Sequence, residues 1–353
     1  MNPPTSALIL PLEKIDPTLR HQIKHHLQPQ KDYLSLQDRL NADTIDFSIY
    51  TYLPYRCFRR SDRLGRLAWG QALYALKNWK NYDVVYSLGE DIAVPLAFLL
   101  RLRGLRPRHI MVAHNILSSR KVPLLRALQV MSCFDTIVIF SSHAVRELVH
   151  TYGVDYERVR FIMDAIDESF WQPDPLVKVE ADLVLSVGRA RRDYNTLLTA
   201  VADLPLRLRI QSSSQWDIAY RSHNIQRRPP DNVEVGDYLS YCDLRALYNR
   251  ASFVVISLES GAHHSAGTVS IKEAMAMGKA IIVASDGGAN DYVQHGETGL
   301  LVPPGDPMRL RQAIGLLIAD PIQTKEMGRK GRAFLEQKMG YEAKIEWLAS
   351  LAT

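Results

Sequence analysis

Apolar residues recur along this chain in short, nearly unbroken runs separated by mixed segments. Six runs rich in β-branched residues precede residue 170: Ala7–Leu12, Thr44–Leu53, Asp83–Leu88, His109–His114, Thr136–Ser141 and Val159–Met163. Six more follow: Leu183–Val187, Leu206–Ile210, Val233–Val235, Phe253–Leu258, Ala280–Ala284 and Leu300–Val302. An unbroken apolar run suits a strand covered on both faces, as in a parallel sheet. Helix-patterned stretches separate most of the runs, and such alternation builds parallel sheets through right-handed crossovers. The pattern predicts an α/β protein with two Rossmann-like domains. The expected boundaries are 1–170 for the first domain, 171–181 for a linker, 182–338 for the second domain and 339–353 for a final helix. Prolines in Ser169-Phe170-Trp171-Gln172-Pro173-Asp174-Pro175 mark the linker, and Ile345, Leu348 and Leu351 are spaced along one helix face. No internal repeat or low-complexity segment interrupts the pattern.

The stretch from Gly267 to Asp306 carries the most chemistry. It reads as a loop, a helix from about Ser270 to Met277 stopped by Gly278, the buried strand AIIVAS, a glycine turn, and a final strand ending at Pro303-Pro304-Gly305-Asp306. Gly267, Thr268 and Val269 precede the helix, whose first N–H groups lack intrahelical partners. Such a terminus favours an anion, and a diphosphate suits it. A plainer alternative is that Ser270-Ile271-Lys272-Glu273 forms an S-x-x-E capping box, with Glu273 closing the helix start.

Taken whole, the block resembles the donor-site signature of GT-B fold glycosyltransferases, specifically the retaining family 4 (glycosyl transferases group 1). The resemblance implies two Rossmann-like domains facing a central cleft, with the C-terminal helix crossing back to the N-terminal domain. By the same resemblance, Glu273 takes the ribose hydroxyls, and the N–H groups around Thr268, Val269 and Ser270 hold the diphosphate. The strand Leu183–Val187 ending in Gly188 resembles the family's glycine–arginine element, which places Arg189 and Arg192 as the two cations on the leaving diphosphate. Ile110-Met111-Val112-Ala113-His114-Asn115 resembles the strand that ends in the family's active-site histidine, His114 here. Asp164-Ala165-Ile166-Asp167 resembles the family segment lining the cleft.

Two departures stand out. Ser265 occupies the position of the glutamate that touches the transferred sugar in many members, leaving Glu259, His263 and His264 as candidates for that contact. Pro11-Leu12-Glu13-Lys14 replaces the glycine-rich loop after the first strand. The expected activity is that of a hexosyltransferase-type enzyme, moving a sugar with retention from a nucleotide diphosphate donor to an acceptor hydroxyl, without cofactor. No D-x-D pair occurs, so no metal is expected. The alternatives are a non-catalytic binding or regulatory subunit and a sugar-nucleotide epimerase.

Composition adds one clue about partners. Of 43 Lys+Arg and 38 Asp+Glu, residues 1–170 hold 22 against 17, so the net +5 lies entirely in that half. Arg56, Arg59, Arg60, Arg63 and Arg66 form one cluster, interleaved with Tyr52, Tyr55, Phe58 and Trp69; Arg101, Arg103, Arg106 and Arg108 form another. The pattern suits an anionic lipid surface or an acidic, lipid-linked acceptor, and equally a solvated helix face. No nucleic-acid module is recognisable. Cys57, Cys133 and Cys242 are odd in number and far apart, which suits a reducing cytoplasm. With no signal peptide or apolar stretch long enough to span a bilayer, a cytoplasmic protein is expected, with peripheral contact at the inner membrane face as an extension.

Overall fold

A computed structural model describes residues 6–51, 64–117, 125, 128–188, 191–211, 228–262 and 266–353. They form two compact units. The first comprises Met1–Lys24, Gln30–Ile162 and Glu342–Thr353; the second comprises His25–Pro29 and Met163–Tyr341.

The first unit is built on strands β1 (Ala7–Leu10), β2 (Asp43–Thr44), β3 (Val84–Ser87), β4 (Arg108–Ala113), β5 (Thr136–Ile139) and β6 (Val159–Phe161). Their order is β2-β1-β3-β4-β5-β6 and every pair is parallel. Helices α1 (Leu19–Lys24), α2 (Asp32–Leu40), α3 (Leu64–Asn78), α4 (Glu90–Leu102) and α5 (Ser142–His150) accompany the sheet. Of the run expected as a strand over Thr44–Leu53, only Thr44 joins β2, and a 3-10 turn follows at Phe47–Thr51. Asp46 ends the strand: its carboxylate accepts the Ile15 N–H at 2.6 Å and the Ser48 N–H at 3.0 Å, a local turn that competes with the ladder.

In the second unit, β7 (Leu183–Val187), β8 (Arg207–Gln211), β9 (Val233–Gly236), β10 (Phe253–Ser257), β11 (Ala280–Ala284) and β12 (Leu300–Val302) run in the order β12-β11-β10-β7-β8-β9, again all parallel. Helices α6 (Tyr194–Val201), α7 (Tyr241–Arg250), α8 (Thr268–Ala276), α9 (Pro307–Ala319) and α10 (Pro321–Lys338) cover it. Alternation along the strands divides two apolar layers. Leu185, Val187, Val254 and Ile256 face the layer with α8, while Val184, Phe253, Val255 and Ile282 face the one with α6 and α9. Phe170 and Trp171, each 1% exposed, belong to the first of these layers.

Helix α8 starts at Thr268, two residues before the position expected from sequence. Its end is a Schellman motif, with Gly278 N–H on Met275 O and Lys279 N–H on Ala274 O. The final helix, α11 (Tyr341–Ser350), buries Ile345 and Leu348 and belongs to the first unit from Glu342 onward. Lys344 Nζ donates to Asp32 at the start of α2 at 2.6 Å, and Leu348 O accepts the Tyr86 hydroxyl of β3 at 2.8 Å. The expected return of the last helix to the N-terminal sheet is therefore observed.

Candidate active site

The order of strands in the second sheet reverses between β10 and β7, and ligands of doubly wound folds bind beyond the carboxyl ends of strands at such a point. The two loops there are knitted together. Asp193 N–H reaches Ser257 O at 2.9 Å, Glu259 N–H reaches Arg191 O at 3.0 Å, and Arg192 bridges Leu258. Gly188 turns the chain out of β7 at φ 104°, and its carbonyl accepts the Tyr194 hydroxyl. A Cβ there would run into the Arg192 guanidinium. Conformation and space both demand glycine.

Arg192 is only 5% exposed. Its Nε donates to Val187 O at 3.1 Å and its Nη2 to Ser270 Oγ at 3.0 Å; Ser270 Oγ donates in turn to Val187 O at 3.2 Å. Burial pulls the guanidinium below its ordinary pKa, while Tyr194, Tyr248 and Glu273 favour its charge. Arg192 is thus both a cation at this edge and part of its frame. Ser270 does not cap α8, because it is the third residue of the helix and its hydroxyl points to Arg192 and Val187. Gly267 is the N-cap, left-handed at φ 81°, and as a glycine offers no side chain to cap the helix. A Cβ at Gly267 would lie 3.2 Å from Leu258 Cδ2, so β10 and the helix start approach closely through it. Together a helix N-terminus and a buried guanidinium converge, an arrangement that attracts an anion.

The capping-box alternative for Glu273 fails with the same geometry. Glu273, 5% exposed, accepts the Tyr248 hydroxyl of α7 at 3.0 Å. Burial raises its pKa to about 7, opposed by the Tyr248 hydrogen bond and by the charges of Lys272 and Arg192. Lys272, the neighbouring residue, turns away from the site: its Nζ pairs with Asp164 and donates to Ala165 O at 2.9 Å. The Asp164–Asp167 segment therefore backs α8. Asp167 accepts the Phe170 N–H at 3.0 Å and so turns Phe170 and Trp171 into the core, where Trp171 meets Tyr248 edge-on at 5.8 Å.

The remaining expected residues fall as follows. Thr268 is buried and Val269 is 58% exposed at the first turn of α8. Glu259 pairs with Arg191 at 3.0 Å, and Arg191 Nη2 also donates to Gly261 O at 3.0 Å. Arg189, His263, His264 and Ser265 lie outside the described residues, as do Arg56, Arg59, Arg60 and Arg63. In the first unit, His114 is exposed just beyond β4. The two oxygens of buried Glu90 accept its N–H at 3.0 Å and that of Asn115 at 3.2 Å, and its ring meets Phe140 at 5.2 Å. Of the second arginine cluster, Arg101 donates to the Leu128 and Gln129 carbonyls and Arg108 to Ala352 O. Sequence reasoning missed Tyr248, Arg191, Lys272 and Glu90. Each acts through a partner distant in sequence, and Arg191 also sits between two other arginines. Among the described residues, no group of three His, Cys, Asp or Glu is placed to hold a metal, and no helix is long and apolar enough to cross a membrane.

Residues 167–334 match the family model "Glycosyl transferases group 1", a span that includes Gly188, Arg192, Tyr248, Gly267, Ser270 and Glu273. The chain is related to the glycosyl transferases group 1. Curated relatives include a D-inositol 3-phosphate glycosyltransferase of Xylanimonas cellulosilytica, 23% identical over 58% of this chain and 54% of that protein. Another is the human alpha-1,3/1,6-mannosyltransferase ALG2, 29% identical over 51% of this chain and 47% of that one. The chain spans about half the length of the curated relatives it matches. Among solved structures, Anabaena Alr3699/HepE in complex with UDP and glucose superposes with a TM-score of 0.71 over 98% of both chains at 16% identity. The fold is GT-B: two parallel, helix-flanked sheets, with the last helix returning to the first sheet.

Proposed function

We propose that this protein is a retaining glycosyltransferase that uses a nucleotide diphosphate-sugar donor. The observation that carries the reading is the convergence of Arg192, Ser270 and the glycine-capped start of α8 at the switch point, with buried Glu273 beside them. In this reading the N–H groups of Thr268, Val269 and Ser270 hold the diphosphate, Arg192 and Arg189 neutralise it, and Glu273 accepts the ribose hydroxyls. The C1–O bond to the diphosphate breaks while a C1–O bond to the acceptor forms on the same face. The acceptor proton passes to an oxygen of the departing diphosphate, so the sugar keeps its configuration. The UDP and glucose bound to Anabaena Alr3699/HepE support a uridine donor as the first to try. His114, exposed at its own sheet's edge, is assigned the sugar contact, with Glu259, His263 and His264 as the other candidates. The basic excess before residue 170 favours an acidic or lipid-linked acceptor, met by a cytoplasmic protein at a membrane surface.

A thermal-shift screen against UDP, GDP, ADP and TDP, each alone and as sugar conjugates, tests the donor site. A ligand at a hundred times its Kd stabilises by about 2.7 kcal/mol. One nucleotide is expected to shift the transition clearly, and Glu273→Ala to remove the shift. No shift with any of them would sink the reading.

A further inference from the structure

Tyr248 is fully buried, yet the position does not call for a hydroxyl on packing grounds. Its ring lies in an apolar layer against Trp171, where phenylalanine would fill the same space without the cost of burying a polar group. The hydroxyl has one acceptor among the described residues, Glu273 Oε2 at 3.0 Å. Resting on the donor-site reading, we propose that Tyr248 is a positioning residue whose hydroxyl holds the Glu273 carboxylate oriented and charged for the ribose hydroxyls. A carboxylate accepts from both hydroxyls of a vicinal diol, whereas a carboxylic acid has one oxygen committed as a donor. A buried glutamate with no donor of its own would rotate or protonate.

The groups around Glu273 are few, so the role of Tyr248 can be isolated. Arg192 approaches from the loop after β7 and Lys272 from α8 itself, with its ammonium drawn to Asp164. Tyr194 of α6 lies behind Arg192. Farther off, Arg332 of α10 donates to the Trp171 and Ala276 carbonyls, and Lys279 to Asn249 O. Of these, Tyr248 alone donates a hydrogen bond to the carboxylate among the described residues. Since burial already lifts Glu273 to about 7, loss of that bond moves its ionisation into the range where donor binding is measured.

The test is calorimetric titration of UDP-glucose between pH 6 and 9, with ADP-glucose and GDP-mannose alongside; their diphosphates carry no group that titrates there. Wild-type affinity is expected to rise with pH around a midpoint near 7. Tyr248→Phe should move the midpoint up by about one unit, binding about eightfold more weakly at pH 6.5 and about equally at pH 9. Glu273→Gln should show weak binding without a midpoint, and adding Tyr248→Phe to it should change nothing further. A loss in Tyr248→Phe that is uniform across pH would mean a purely structural role and overturn the proposal. So would a midpoint that persists in Glu273→Gln, a result available even if Tyr248→Phe fails to fold. If the wild-type chain binds none of the three sugars at any pH, the donor-site reading itself fails and takes the proposal with it.

Discussion

Two buried titratable side chains, Glu273 and His109, carry opposite pH dependences. Glu273 is held near 7 against an ordinary 4.5. Its contribution to stability is therefore complete below 4.5 and lost as pH rises through about 7, worth about 3 kcal/mol. His109 is pressed down to about 3 by burial, with its Nε2 on Ser87 Oγ at 2.8 Å. What it contributes is complete above 6.5 and is lost as pH falls through about 3. In the empty protein, Glu273→Gln should raise the calorimetric transition by roughly 5–10 °C at pH 8 and by almost nothing at pH 4. Equal gains at both pH values would show that Glu273 is not held as described. A glutamate kept at such a cost fits a binding role, since stabilising substitutions at functional sites commonly cost activity. The motif block beginning at Gly267 pointed to Glu273 from sequence because α8 is one local element. Tyr248 was illegible because it sits on another helix, 25 residues earlier, at no motif spacing.

Elements were legible where burial writes itself into composition. Strands covered on both faces are apolar at most positions, so β1, β3–β5, β7, β10 and β11 stood out. β2 did not, because a single aspartate stopped the ladder inside an apolar run. The start of α8 was misplaced by two residues because it depends on the fit of Gly267 against Ile256 and Leu258, a contact between elements. Helix α10 shows the same principle. Its two interior glycines each cost about 1 kcal/mol in intrinsic propensity. At Gly328, however, a Cβ would clash with Gly278 O and sit 2.8 Å from Ala280 N, at the turn that joins α8 to β11. Gly328→Ala should lower stability by about 1–3 kcal/mol despite the better helix former. Gly315 of α9, where an added Cβ meets nothing within 4 Å, should instead gain up to about 1 kcal/mol on the same change. Denaturant midpoints of the two variants check both signs, and a stabilised Gly328→Ala would refute the close approach.

At the scale of the whole molecule, the alternation of runs was enough for two doubly wound sheets, and apolar spacing in the last segment was enough for α11. What joins α11 to the first sheet was not foreseeable: a buried lysine, Lys344, paired with Asp32 more than three hundred residues away in sequence. The second unit's edge was read from its motif block. The first unit's edge was read far less completely, because the loop that replaces the glycine-rich segment and the Glu90 clamp on His114 belong to no recognised pattern. Recognition of an acceptor therefore rests on charge alone, while the donor chemistry rests on geometry. The most direct measurement is release of nucleoside diphosphate from the donor that binds, comparing the full wild-type chain with Arg192→Lys. This substitution keeps the charge but loses the forked hydrogen bonds to Val187 and Ser270. The account predicts turnover by the wild-type chain and a loss of about 10²-fold in Arg192→Lys, larger than its loss of donor affinity. No release from a donor that demonstrably binds would make the protein a binding subunit rather than an enzyme, and unchanged turnover in Arg192→Lys would remove that residue from the site.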